Sequence, residues 1–103
     1  MKKFLCAASL CLCSAVICAA LALAADGKAL FGKCAGCHGA DGSKKTMGDG
    51  TPIKGMAAAK VAASLEGYKA KTFGGPKKVI MEGQTANLSS EDIKALADYI
   101  ATF

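Results

Sequence analysis

The 103-residue chain has no tryptophan, no arginine and only one histidine, His38. Without a second histidine, no imidazole is left over to act as a general base once His38 is committed elsewhere, and a hydrolase reading finds no support. No glycine-rich loop joins a strand pattern to a helix pattern, so a nucleotide-binding reading has no footing. Strand-like alternation, internal repeats, low-complexity tracts and linkers are also missing, which leaves one small domain. All 13 basic residues are lysines, and residues 25–103 carry 11 of them against 8 acidic side chains. A balance of +3 suits docking to acidic proteins better than wrapping nucleic acid. Aromatics in that stretch are few: Phe31, Tyr68, Phe73, Tyr99 and Phe103.

The N-terminus accounts for most of the apolar character. Met1-Lys2-Lys3 is a short basic opening, and Phe4 to Ala25 then runs without a charge. Ala22-Leu23-Ala24 is an A-x-A cleavage signal. Residues 1–24 read as a removed signal peptide, and residues 25–103 as the exported domain. The alternative is a retained anchor, because 22 uncharged residues can span a bilayer. Cys6, Cys11, Cys13 and Cys18 all fall in this leader, so no disulfide framework is implied. Ile17 stands before Cys18 where a lipidated cysteine requires a small residue, so a lipoprotein is not expected.

What remains is one pentapeptide, Cys34-Ala35-Gly36-Cys37-His38. C-x-x-C-H is a covalent haem attachment pattern. Two thiols three positions apart can add to the two vinyl groups of one porphyrin, and the next residue is then held under the iron as an axial ligand. Two other readings compete. A thioredoxin-like dithiol needs a β-α-β pattern, which is absent. Structural zinc needs four ligands, and outside the leader the chain offers three. The 79 residues from 25 to 103 are few for a self-sufficient core, and a buried porphyrin supplies the apolar mass they lack.

Spacing predicts an all-α domain of three or four helices joined by glycine-rich loops. The first runs from Asp26, its N-cap, to Ala35. Gly36 and Gly39 bracket the attachment site, where the backbone must pass close to a flat ring. Residues 40–55 form a loop. Met56 to Leu65 is an alanine-rich helix with Gly67 as its stop signal. Pro76 opens a short helix to Glu82, ended by Gly83. The last helix has Ser89 as N-cap with Asp92 three positions on, Leu88 and Ile93 at hydrophobic-staple spacing, and an apolar stripe of Ile93, Leu96, Ala97 and Ile100.

If His38 holds one face of the iron, methionine is the usual partner on the other in electron-carrying haem proteins. Met47, Met56 and Met81 compete. Met47 lies 9 residues from His38 and would have to round the haem edge at once, whereas Met81 lies 43 residues on and just before the last helix. Spacing favours Met81 and leaves the other two open.

These residues carry a family resemblance. Ala25-Asp26-Gly27 with Ala29-Leu30-Phe31, Cys34 to Ser43, Pro52 and Gly55, Gly67-Tyr68, Gly74-Gly75, Val79-Ile80-Met81 and Ala95 to Tyr99 together resemble the class I c-type cytochromes, in particular the small monohaem cytochromes c-553 of sulfate-reducing bacteria. The resemblance covers the chain beyond the leader. It implies a class I cytochrome c fold wrapped around one covalent haem c, with His38 and Met81 as axial ligands. It implies that the Pro52 carbonyl accepts a hydrogen bond from the His38 ring nitrogen that is not on iron. It further implies that the first and last helices pack through Gly27, Phe31 and Tyr99. Against that pattern, Glu82-Gly83-Gln84 is polar and reads as a flexible segment after Met81.

The expected function is periplasmic single-electron transfer between redox proteins, without catalysis. The expected partners are a donor and an acceptor with acidic surfaces, formate dehydrogenase or hydrogenase among the donors by resemblance. No nucleic acid, no stable membrane association after cleavage and a monomeric state are expected. Lys44, Lys45, Lys54, Lys69, Lys71, Lys77 and Lys78 are the candidate docking lysines. An open sixth position would instead make a haem-based gas binder or a peroxidase-like enzyme, and free thiols a periplasmic thiol oxidoreductase.

Overall fold

The computed structural model describes residues 25–48 and 50–103. The expected signal peptide, its four cysteines and the anchor alternative lie outside the described residues. Within them the chain forms five α-helices and no strand: α1 (Gly27–Phe31), α2 (Ala35–His38), α3 (Ala58–Ala70), α4 (Lys78–Thr85) and α5 (Ser90–Ile100), with a 3-10 turn at Thr46–Gly48 between α2 and α3.

The expected first helix is two helices. Asp26 caps α1 as anticipated, its carboxylate accepting from the N–H groups of Lys28 and Ala29 at 3.1 and 3.3 Å. The backbone then stays right-handed through Gly32 and Cys34. Its hydrogen bonds shorten by one residue, however, with Gly32 N–H donating to Ala29 O and Cys34 N–H to Phe31 O. This tighter winding turns α2 away from the α1 register.

Two stop signals also fail, for opposite reasons. α3 runs through Gly67 and ends at Lys71, which takes the left-handed conformation at φ 63°. Gly67 is needed for room instead: a Cβ there would stand 2.6 Å from Phe73 Cβ, which folds back to stack edge-on with Tyr68 at 5.0 Å. α4 starts two residues after Pro76 and continues through Gly83 to Thr85, so Glu82-Gly83-Gln84 is helical rather than loose. The reason is burial at the far end. Thr85 is 1% exposed, and its hydroxyl is satisfied by the carbonyls of Met81 and Glu82 at 2.9 and 3.3 Å.

α5 matches expectation closely. The Ser89–Asp92 capping box is reciprocal, with both bonds at 3.0 Å. Ile93, Leu96, Ala97 and Ile100 are all buried, as is Leu88 at the staple position. They join Phe31, Val61 and Leu65 in one core. α5 is the central element, packed on both α1 and α3, and α4 rests on α3.

The α1–α5 contact goes through the anticipated residues. A Cβ on Gly27 would meet Ala95 O at 2.2 Å and Tyr99 Cβ at 2.9 Å, so only glycine lets the helices touch backbone to backbone. Phe31 and Tyr99 stack at 5.6 Å, and the terminal Phe103 closes the triangle at 5.0 and 5.2 Å.

Candidate haem site

Helix α2 is four residues long and could not persist alone. The loop that follows straps it down. The Lys44 N–H donates to the His38 carbonyl at 3.0 Å, and Lys44 Nζ to the Gly36 carbonyl at 3.3 Å. The same loop captures the Pro52 segment, because the Gly42 carbonyl accepts from the N–H groups of Ile53 and Lys54 at 2.9 and 3.0 Å. Asp41 adds a second tie, binding Ser43 and, at 3.3 Å, Lys54. Sequence positions 34–44 and 52–56 are thereby drawn into one edge of the molecule.

Neither Cys34 nor Cys37 is in a disulfide; Cys34 is half-buried and Cys37 exposed. Burial raises the Cys34 pKa, with Lys33 pulling the other way. A dithiol oxidoreductase requires a thiol lowered toward neutrality, so this environment speaks against that alternative. Burial lowers the His38 pKa, favouring the neutral imidazole that binds metal. His38 Nδ1 is buried and has no hydrogen-bond partner among the described residues. The bond to the Pro52 carbonyl is therefore not formed in this structure. A buried polar atom left unpaired costs about 1–3 kcal/mol, so Nδ1 calls for a hydrogen-bond acceptor.

The methionines occupy different surroundings. Met47 is 62% exposed and sits in the left-handed conformation at φ 53° on the 3-10 turn. Met56 and Met81 are both half-buried against the core cluster, which Cys34 also touches. Val79 and Ile80, just ahead of Met81, are 71% and 48% exposed, unusual for large aliphatics. The α2 helix leans on the Thr46–Gly48 turn and α4 on α3, so the two arms of the site are built on different supports. Two cysteines three positions apart, followed at once by an imidazole that burial keeps toward its neutral form, fit a porphyrin with iron.

The family model for cytochrome c matches residues 24–103. The chain belongs to the cytochrome c family. Its relatives include cytochrome c-553 of Nitratidesulfovibrio vulgaris, 46% identical over 76 residues that span 74% of each chain. Cytochrome c-553 of Desulfomicrobium norvegicum is 49% identical over 70 residues, 68% of this chain and 85% of the relative. Cytochrome c-553 of Helicobacter pylori is 43% identical over 77 residues, 75% of this chain and 77% of the relative. This cytochrome therefore carries covalently bound haem c and is a small electron carrier, not an enzyme. The all-α architecture agrees with the class I fold.

Sequence reasoning missed the site's supports. The sequence gives Phe103 and Thr85 no role, and Glu82 falls in the Glu82-Gly83-Gln84 segment that reads as flexible. Only the helical spacing of Met81 and Thr85, one turn apart, could have hinted at the continued helix.

Proposed function

We propose that this cytochrome shuttles single electrons between redox proteins in the periplasm through a six-coordinate haem held by His38 and Met81. Haem iron supplies the one-electron ferrous/ferric couple. Cys34 and Cys37 would hold the ring through thioether bonds, and α2, strapped by Lys44, would present His38 to the iron. The Pro52 carbonyl, not bonded to His38 Nδ1 in this structure, is the acceptor proposed for it once haem is attached; the Gly42 bonds that draw the neighbouring Ile53 to this loop favour it. With Met81 as the second ligand, no coordination position would be left for a substrate, which suits electron transfer over turnover.

The observation that carries the reading is the half-buried Met81 on the core cluster that Cys34 also touches. Met47 lies 9 residues from His38, and its segment would have to round the haem edge at once, which argues against it as a ligand. Met56 shares the burial of Met81, so burial alone does not separate them, and the match to Val79-Ile80-Met81 in the family pattern favours Met81. Residues 1–24 as an export signal support the periplasmic placement. No described helix is long and apolar enough to cross a membrane.

Holoprotein variants test the ligand directly. Met81→Ala should lose the weak near-red band of sulfur bound to ferric iron, and its potential should fall, because thioether favours ferrous iron. Met47→Ala and Met56→Ala should keep the band. A band that survives in Met81→Ala and vanishes in Met56→Ala would assign the ligand to Met56 instead.

A further inference from the structure

Glu82 follows Met81 in α4, and its carboxylate is badly placed for a surface residue. Its side chain is only 12% exposed, and Oε2 is buried without a hydrogen-bond partner. Lys78, one turn earlier, brings Nζ to 4.0 Å, the outer edge of an ion pair, and is itself 41% exposed. An ordinary i,i+4 pair would hold its carboxylate in water, where charge is cheap. A carboxylate oxygen drawn inside and only loosely paired is costly, and such a group calls for an explanation. The turn that bears it is also fixed, since the buried Thr85 hydroxyl donates to the carbonyls of both Met81 and Glu82.

We propose that Glu82 sets the reduction potential of the iron downward, with Lys78 offsetting part of its charge. This rests on the reading of Met81 as the sixth ligand: Glu82 is the next residue of α4, on the same turn tied down by Thr85. Reducing ferric to ferrous iron removes one positive charge from the centre. A fixed negative charge nearby favours the ferric form, and it acts further through a poorly solvated medium than through water. The charge on Lys78, being more exposed, is screened more by salt. Burial and local charge are among the means by which a protein tunes its haem.

The test uses the holoprotein exported from a host that attaches haem covalently, with Glu82→Gln, Lys78→Gln and Met81→Ala measured side by side. Midpoint potentials are taken at neutral pH at low and high ionic strength, together with the sulfur-to-iron band. Glu82→Gln should raise the midpoint, shifting the equilibrium with a fixed-potential mediator several-fold toward ferrous, and the shift should persist at high salt. Lys78→Gln should move it the other way by less, and lose that effect in salt. Both should retain the band. An unmoved midpoint in Glu82→Gln, with the band lost in Met81→Ala, overturns this proposal alone. Shifts of the same sign in both charge variants also overturn it, as does loss of the band in Glu82→Gln, because Glu82 would then be supporting ligation. A band that survives in Met81→Ala overturns the ligand reading and the placement of Glu82 with it.

Discussion

Asp41 sits just beyond the attachment motif and accepts from the Ser43 hydroxyl at 2.6 Å, the Ser43 N–H at 3.1 Å and Lys54 Nζ at 3.3 Å. The Ser43 bonds first, and Lys54 after them, hold its pKa down from 3.8 to about 2. All of these favour the ionised form, so the tie is at full strength above the ordinary carboxylate pKa. Its contribution to stability is lost as pH falls from about 4 through about 2. An NMR titration of the Asp41 carboxyl carbon should find a midpoint well below that of an unpaired aspartate, and Asp41→Asn should flatten the acid limb of the stability curve over that window. An ordinary midpoint would mean that the Ser43 and Lys54 contacts do not persist in solution. That Asp41 belongs to the site's framework was not legible in the chain, because its partner Lys54 lies 13 residues away.

Among the elements, α5 carries the fold, and its two ends make separable predictions. Ser89→Ala removes one half of the capping box and should cost about 1 kcal/mol in denaturant unfolding, with an unchanged visible spectrum. Gly27→Ala is expected to be worse, since the new methyl meets the Ala95 carbonyl and must push α1 off α5. Overpacking of this kind costs about 1–3 kcal/mol and upward. It should also weaken the Phe31–Tyr99–Phe103 triangle, read as a change in tyrosine fluorescence. Equal losses in the two variants would contradict the close helix contact. The cap and stripe of α5 could be read directly because a capping box and a 3.6-residue period are local. The ends of α3 and α4 could not: Gly67 and Gly83 are breakers by propensity, but Phe73 packing over one and the burial of Thr85 beyond the other override it.

At the scale of the whole domain, the core among the described residues is thin: eight buried apolar residues, with several more packed half-buried around them. So few side chains do not offset the ordering entropy of the chain. A Cys34→Ala, Cys37→Ala variant made without haem should give a largely disordered circular dichroism spectrum, and a cooperative native-like melt would contradict this. Surface charge yields the other prediction at this scale. Lys44, Lys54, Lys69 and Lys78 each bond within the chain, Lys69 to the Leu88 carbonyl, whereas Lys45 and Lys71 make no ion pair among the described residues. Reversing Lys45 and Lys71 to Glu should therefore slow electron transfer with an acidic partner at low salt without disturbing the fold, and the difference should shrink as ionic strength rises. An unchanged rate and salt slope would move the docking face away from these lysines.

The helical class and the attachment pattern were both legible in the chain, because each is written in contiguous residues. Cys34, Cys37 and His38 form the attachment pattern by spacing alone, and Ser89 to Ile100 declare a helix by period and cap. Only the tertiary structure decided what supports that chemistry. It brought the Pro52 segment to Gly42, left His38 Nδ1 buried and unpaired, exposed Met47, seated Phe103 against Phe31, and drew Glu82 inward beside Met81. Each of those depends on how segments far apart in the chain meet on α5 and α3, and burial is a property of that meeting rather than of any stretch of sequence.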